Sequence, residues 1–180
     1  SEMKETLAGI EDYTRIGSLL QPEQIVKYGE LTLRENQIAY AEPSFFRLFD
    51  FELLKGDKKT CLSMPGQVVI TERIASKYFK DEDPIGKIFI FTGAYDKISC
   101  EVTGVMKEMP SNSHIHYSFL ISYKSLPKYM QEYWYKHEAY TYVLLDSPER
   151  KAEIEREFPV MAEKYKTDEA LKNKTWGAVS

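Results

Sequence analysis

A strand that runs directly into a helix decides the fold of this chain, and residues 67–87 encode it with the sequence QVVITERIASKYFKDEDPIGK. The β-branched triplet Val68-Val69-Ile70 is typical of a buried strand. Thr71 can cap the helix that follows, because its hydroxyl can accept a hydrogen bond from a free backbone N–H of the first turn. Four apolar residues then fall on one helical face: Ile74, Ala75, Tyr78 and Phe79. The stretch therefore predicts a buried strand covered by an amphipathic helix.

Strands are predicted on both sides of this unit. Downstream, Lys87–Phe91 and Ile98–Val105 are predicted strands, and the second alternates between apolar and polar residues. Upstream, Arg34-Glu35-Asn36 is interpreted as the turn between two short strands, 31–33 and 37–40. Strands outnumber helices, but helices recur between them. The predicted fold class is therefore α+β, a mainly antiparallel mixed sheet with helices packed on it.

The C-terminal third of the chain continues the same pattern. Residues 115–123 are predicted to form a strand, a short helix starts at about Ser125, and residues 138–145 form another strand. The dipeptide Ser147-Pro148 is typical of a helix start. Pro159 lies within that helix and should kink or split it.

Composition and charge exclude several classes of function. The 180 residues include 24 basic and 28 acidic side chains, so the net charge is −4. Both signs are interspersed and no basic stripe forms, so binding to nucleic acid has no electrostatic support.

No apolar run approaches the roughly 20 residues that span a bilayer. Because the chain starts at Ser1 without a signal peptide, we interpret it as a soluble piece of a longer protein.

The sequence contains no nucleophile elbow, zinc-protease motif, P-loop or dinucleotide fingerprint. The weak metal candidates are His114 and His116, because two residues that are two apart on a strand share one face. A third ligand would have to come from His137 or from a distant carboxylate. The alternative is that both are structural or surface histidines.

The two cysteines, Cys61 and Cys100, allow a single disulfide in an oxidising compartment. The alternative interpretation is two buried free thiols that act as small apolar side chains.

Two aromatic clusters receive different interpretations. Phe45, Phe46, Phe49 and Phe51 are interpreted as core, because aromatic clusters of this kind are usually buried. A second group stands among polar residues, and tyrosine and tryptophan are favoured at interfaces. Its members are the candidate partner-contact residues: Tyr129, Tyr133, Trp134 and Tyr135. The alternative for this group is a short helix folded onto the sheet.

Several blocks resemble a known family when their order and spacing are taken together. The blocks are AEPSFFRLFDF at residues 41–51, LLKGD at 53–57, VVITE at 68–72, EDPIGK at 82–87, VTGV at 102–105 and PSNSH at 110–114. In this order they resemble the MacB-like periplasmic core domain of MacB/FtsX-type ABC transporter permeases, in the version common in Bacteroidetes.

The resemblance implies a non-catalytic periplasmic domain of an inner-membrane protein. It implies a porter-like lobe with a smaller β-rich lobe, and we assign the core domain to residues 1–166. Residues 167–180 are mostly polar and are interpreted as a loosely ordered tail, which departs from the family pattern. The implied partners are the permease's own transmembrane helices, a cognate ATPase, a second permease in a dimer, and a periplasmic or outer-membrane protein. No cofactor is implied in this domain, since ATP is used by the ATPase. The implied role is to contact substrate or partners and to couple to ATP-driven change in the membrane.

Two other functions remain open from the residues alone. One is a free-standing periplasmic module that binds a small ligand on the Tyr/Trp surface. The other is a metal-dependent enzyme that uses His114 and His116.

Overall fold

The structure, a computed structural model, describes residues 8–17, 23–93, 97–132 and 139–164. The chain divides into two compact units, which are considered separately here. Unit 1 consists of residues 1–13 and 142–180, and unit 2 consists of residues 14–141.

Ten strands and four α-helices lie in the described residues. The strands are β1 (Ile10–Gly17), β2 (Gln24–Tyr28), β3 (Leu31–Glu35), β4 (Ile38–Ala41), β5 (Leu53–Lys55), β6 (Gln67–Thr71), β7 (Ile88–Thr92), β8 (Lys97–Met106), β9 (Phe119–Ser122) and β10 (Ala139–Leu145). The helices are α1 (Phe45–Leu48), α2 (Glu72–Phe79), α3 (Lys128–Glu132) and α4 (Arg150–Lys164), and a 3-10 helix spans Tyr123–Ser125.

The strands form one mixed sheet in the order β10-β1-β4-β9-β6-β8-β7-β2-β3, with β5 paired to β8 beside this path. The β4–β9 and β6–β8 pairs are parallel. Antiparallel pairing joins β1–β4, β2–β3, β2–β7, β5–β8, β6–β9 and β7–β8. The predicted α+β class with a mainly antiparallel mixed sheet is confirmed.

The stretch at residues 67–87 forms the predicted buried strand and the predicted helix after it. Its strand, β6, lies between β9 and β8, and Val68, Val69 and Ile70 are fully buried there. The hydroxyl of Thr71 accepts a hydrogen bond from the Ile74 N–H at 3.4 Å, so the predicted helix cap is confirmed. A strand buried on both faces needs no polar alternation, and this explains the continuous apolar triplet.

An aromatic core lies between α2 and the sheet, and its centre is Phe89 on β7. The Phe89 ring contacts the Tyr78 ring edge-on at a centroid distance of 4.9 Å and the Phe79 ring at 5.4 Å. Phe119 joins the cluster from β9 at 5.8 Å. Edge-to-face contacts of this kind add to the burial of apolar area, so this cluster dominates the stability of unit 2.

Strand β8 is shared between two parts of the sheet. Its first half, from Lys97 to Glu101, pairs with β7, and Val105 and Met106 pair with β5 along the same edge. Strand β6 takes the opposite edge. The close passage of β5 over β8 requires Gly56, which has φ +96°, because a Cβ there would collide with the Thr103 carbonyl oxygen.

The predicted turn at Arg34-Glu35-Asn36 is wrong for its first two residues. Strand β3 continues to Glu35, which pairs with Gln24 in register, so the connection from β3 to β4 is confined to residues 36–37. The β2–β3 hairpin has a separate turn at residues 29–30. Gly29 there has φ +55°. The physical reason is tertiary, because the buried Glu35 carboxylate is bound by two groups of α2.

The predicted strand over residues 115–123 is also too long, since β9 begins at Phe119. Ahead of it, the Ile115 N–H donates to the Ser113 hydroxyl at 3.0 Å, and the Tyr117 N–H donates to the Met109 sulfur at 3.3 Å. These local hydrogen bonds replace the ladder that a strand would need.

Unit 1 contains a small apolar cluster between its strands and α4. Ile10 and Ile154 are buried in it, and Val143, Leu145 and Phe158 pack against them. The predicted split of the helix at Pro159 is wrong, because α4 continues through this residue, which is exposed. None of the helices in the described ranges is long and apolar enough to cross a membrane.

Candidate interaction surface

The candidate partner-contact residues belong to α3 and the chain directly after it. Tyr129 lies in α3. Tyr133, Trp134 and Tyr135 lie outside the described residues. The structure therefore describes the base from which this aromatic segment extends.

Helix α3 is held in place by hydrogen bonds of its own first turn and of the Gln131 side chain. The Met130 N–H donates to the Pro127 carbonyl at 2.8 Å. The Gln131 side-chain amide donates to the Leu126 carbonyl at 2.6 Å and to the Lys124 carbonyl at 3.3 Å. Met130 also packs against the main core. A helix this short is marginal alone, so its position depends on such contacts.

A polar cluster joins α3 to the first strand, and we call Arg15, Glu42, Tyr123 and Gln131 the Arg15 cluster. The Arg15 guanidinium donates to Glu42 Oε1 through Nε at 2.9 Å and through Nη2 at 2.5 Å. Its Nη1 donates to the Gln131 carbonyl oxygen at 2.8 Å. The guanidinium carbon also lies 4.3 Å from the centre of the Tyr123 ring.

The Arg15 cluster is partly shielded from water. The Arg15 side chain is 31% exposed and that of Glu42 is 13% exposed. Charge-assisted hydrogen bonds are stronger than neutral ones, and a planar guanidinium suits both a carboxylate and an aromatic face. The positive charge of Arg15 also lies beside the Gln131 carbonyl of α3.

A second element, the loop of residues 57–66, is hydrogen-bonded to the 3-10 helix and to Ser122, the residue before it. The Ser122 hydroxyl donates to the Leu62 carbonyl at 2.9 Å, and the Ser125 hydroxyl accepts from the Gly66 N–H at 2.9 Å. Lys124 Nζ donates to the Ser63 carbonyl at 2.7 Å. At its tip the loop presents Met64, which is 60% exposed. These three hydrogen bonds hold the loop in place, and its exposed tip is the apolar Met64.

The cysteines are both free and buried, one in the 57–66 loop and one in β8. Burial raises the pKa of Cys61 to about 12. Burial likewise raises the pKa of Cys100 to about 12. A neutral thiol is a poor nucleophile, so neither side chain is prepared for redox or acyl-transfer chemistry.

The structure places His114 and His116 in an irregular segment ahead of β9 and not on the predicted strand. Both are exposed on either side of the buried Ile115. Within the residues that the structure describes, no group of three or more His, Cys, Asp or Glu side chains could hold a metal ion. His137, the proposed third ligand, lies outside those residues.

Glu35 forms a buried polar contact that the sequence interpretation missed. Its Oε1 accepts from Lys77 Nζ at 2.7 Å and from the Tyr78 hydroxyl at 2.8 Å. Burial and the bond to Glu35 raise the pKa of Tyr78 far above its ordinary value. The contact attaches the β2–β3 hairpin to α2, and its geometry is that of a structural link.

Comparison with known proteins decides which family this fold belongs to. The model of the MacB-like periplasmic core domain matches residues 2–159. The chain belongs to the MacB-like periplasmic core domain family. No curated protein matches it significantly.

Solved structures similar to this MacB-like domain share its fold. A permease-protein domain from Porphyromonas gingivalis has a TM-score of 0.75 at 23% identity, over 93% of this chain and 76% of that one. The periplasmic region of MacB from Actinobacillus actinomycetemcomitans has a TM-score of 0.66 at 15% identity, over 97% and 82%. The extracellular domain of the noncanonical ABC-type transporter YknZ from Gram-positive bacteria has 0.64 at 16% identity, over 92% and 82%.

This MacB-like domain is the periplasmic or extracellular part of a MacB-type ABC transporter permease. The family is not known to be catalytic. Membership in such a transporter implies transmembrane helices and an ATPase as partners. The block at residues 41–51, which helped to identify the family, also supplies Glu42 of the Arg15 cluster.

Proposed function

We propose that this MacB-like domain contacts a substrate or partner protein outside the membrane and couples that contact to ATP-driven change in the permease. The observation that carries the proposal is the family match over residues 2–159. We place the contact on α3 and the aromatic residues after it: Tyr129, Tyr133, Trp134 and Tyr135. Tyrosine and tryptophan anchors of this kind dominate binding energy at interfaces.

The division of the chain supports the coupling part of the proposal. Residues 1–13 and 142–180 belong to the same unit, so both ends of the chain enter unit 1. A movement of flanking membrane helices would act on unit 1 first and reach unit 2 through β1 and β10. In this proposal residues 1–166 form the core domain and residues 167–180 a polar tail.

The partners follow from the same proposal. They are the permease's own membrane helices, the cognate ATPase, a second permease in a dimer, and a periplasmic or outer-membrane protein. ATP binds to the ATPase, and the domain itself requires no cofactor for this role.

The proposal is tested by photo-crosslinking in cells that express the full-length permease with its ATPase. A photoreactive amino acid at Tyr129 should give crosslinks to a second protein, and their yield should change when ATP hydrolysis is blocked. The matched control is the same substitution at Tyr140, an exposed tyrosine of β10.

Equal crosslinking at the two positions would show that α3 is not the contact surface. A full-length protein with no membrane helix on either side of this domain would overturn the proposal altogether.

A further inference from the structure

The chain enters unit 2 at Thr14, and Arg15 is the next residue. Arg15 lies in β1. Its carbonyl oxygen accepts from the Glu42 N–H at 3.2 Å, and its own N–H donates to Glu42 Oε2 at 3.3 Å. The backbone of Arg15 therefore bonds both the backbone and the side chain of Glu42, the residue that follows β4.

The guanidinium of Arg15 extends this link to two further elements. It bonds the Gln131 carbonyl in α3 and covers the Tyr123 ring of the 3-10 helix. The contact between Arg15 and Gln131 joins residues 116 positions apart. One side chain therefore connects the first strand of unit 2 to the base of the aromatic segment.

Glu42 holds the guanidinium in the orientation that this connection requires. Nε and Nη2 both donate to Oε1 of Glu42 while Nη1 donates to the Gln131 carbonyl, so the guanidinium is held from two sides. Lysine offers a single charged nitrogen and lacks the planar fork, so it cannot make these bonds together. The partial burial of both partners limits competition from water.

We propose that Arg15 is the residue that transmits displacement of β1 to α3. This inference rests on the proposed function, since it names the route by which movement of the membrane helices would reach the contact surface. Arg15 acts through Gln131 and Glu42 and is a positioning residue.

The test measures hydrogen exchange in the full-length permease with its ATPase, without nucleotide and with a non-hydrolysable ATP analogue. The variants are Arg15→Gln, Arg15→Lys and Glu42→Gln. The matched control is Arg34→Gln, since Arg34 is also a strand arginine, 80% exposed and 3.6 Å from Glu23. The peptide of interest covers residues 126–132, and the reference peptide covers α2.

Without nucleotide, Arg15→Gln should speed exchange in residues 126–132 by about tenfold while α2 is unchanged, because a charge-assisted bond to a helix carbonyl is lost. Arg15→Lys should behave like Arg15→Gln, and Glu42→Gln should fall between Arg15→Gln and the wild type. The nucleotide-dependent difference in residues 126–132, present in the wild type, should disappear in Arg15→Gln.

Three results would overturn the inference. One is exchange in residues 126–132 that Arg15→Gln alters no more than Arg34→Gln does. Another is an equal rise in α2, which would make Arg15 a general stabiliser. The third is a nucleotide-dependent difference that survives in Arg15→Gln. A wild type without any nucleotide-dependent difference would instead overturn the proposed function, and the coupling role with it.

Discussion

Helices α2 and α3 belong to the same unit, but different forces hold them in place. Under α2, the rings of Tyr78, Phe79 and Phe89 pack in an apolar cluster that excludes water. Beside α3, the Arg15 guanidinium makes directed bonds to Glu42 and to Gln131. Apolar burial depends on area and not on direction, whereas a charged hydrogen bond depends on the geometry of both partners.

The difference suggests that the two helices have different tasks. A helix held by apolar area resists displacement, because any movement exposes that area to water. A short helix held by a few directed bonds can be moved as those bonds move. We therefore expect large losses of global stability from changes under α2 and local effects from changes beside α3.

The largest effect is expected from Phe89→Ala. Phe89 is fully buried at the centre of the aromatic cluster, and truncation of such a side chain costs about 3–5 kcal/mol in the free energy of unfolding. Denaturant unfolding measures the loss. The control is Ile88→Ala on the same strand, where the side chain is 57% exposed and the loss should stay below about 0.5 kcal/mol. Similar losses in both variants would show that the cluster does not dominate stability.

A smaller effect is expected from Glu35→Ala, which tests a polar contact inside the apolar region. The change leaves Lys77 and the buried Tyr78 hydroxyl without their shared acceptor, at a cost of about 1–3 kcal/mol. Thermal unfolding measures it. Tyr78→Phe removes a single bond and serves as the milder comparison, and a larger loss in Tyr78→Phe would contradict the assignment of Glu35 as the central group.

The thiols predict a dependence of stability on alkaline pH. The pKa of each folded thiol is about 12, above the ordinary 9.0, so the unfolded chain loses these protons first. Stability is therefore complete below pH 9 and falls as pH rises towards 12, by about 1.4 kcal/mol per thiol between pH 8 and 10. Unfolding at both pH values in wild type, Cys61→Ala and Cys100→Ala measures it. Identical pH slopes in all three would refute the prediction.

The smallest effect is expected from Thr71→Ala, which removes the cap of α2. The loss should be about 1 kcal/mol, and Thr71→Ser should retain most of the stability because serine keeps the accepting hydroxyl. Urea unfolding distinguishes the two variants. Equal losses would mean that the methyl group of this buried residue, and not its hydroxyl, is what matters.

The parts of the fold that local physics determines could be predicted from the sequence. The strand at Val68-Val69-Ile70 and the cap at Thr71 follow from β-branching and from the needs of a helix start, and the structure has both. Each of these depends on residues adjacent in the chain.

The parts that depend on distant residues could not be predicted. The local sequence predicts that Glu35 is a turn residue. Its buried position depends on Lys77 and Tyr78, which are distant in the chain. The sequence of β2 did not indicate this burial, because polar Gln24 is buried while apolar Ile25 is 43% exposed. Arg15 had no local signal either, because its partners lie 27 and 116 residues away. The order and spacing of the family blocks, however, identified the family that the comparison then established.

The membership of both chain ends in unit 1 has a consequence for modularity. Unit 2 is one uninterrupted stretch, entered at Thr14 and left at Thr141, so it is an insert between two segments that belong together. Both junctions fall within strands, at Thr14 in β1 and at Thr141 in β10, and not in the flexible linkers at which domains are usually exchanged. Recombination at these two points would cut both strands, so unit 2 could be exchanged only together with β1 and β10.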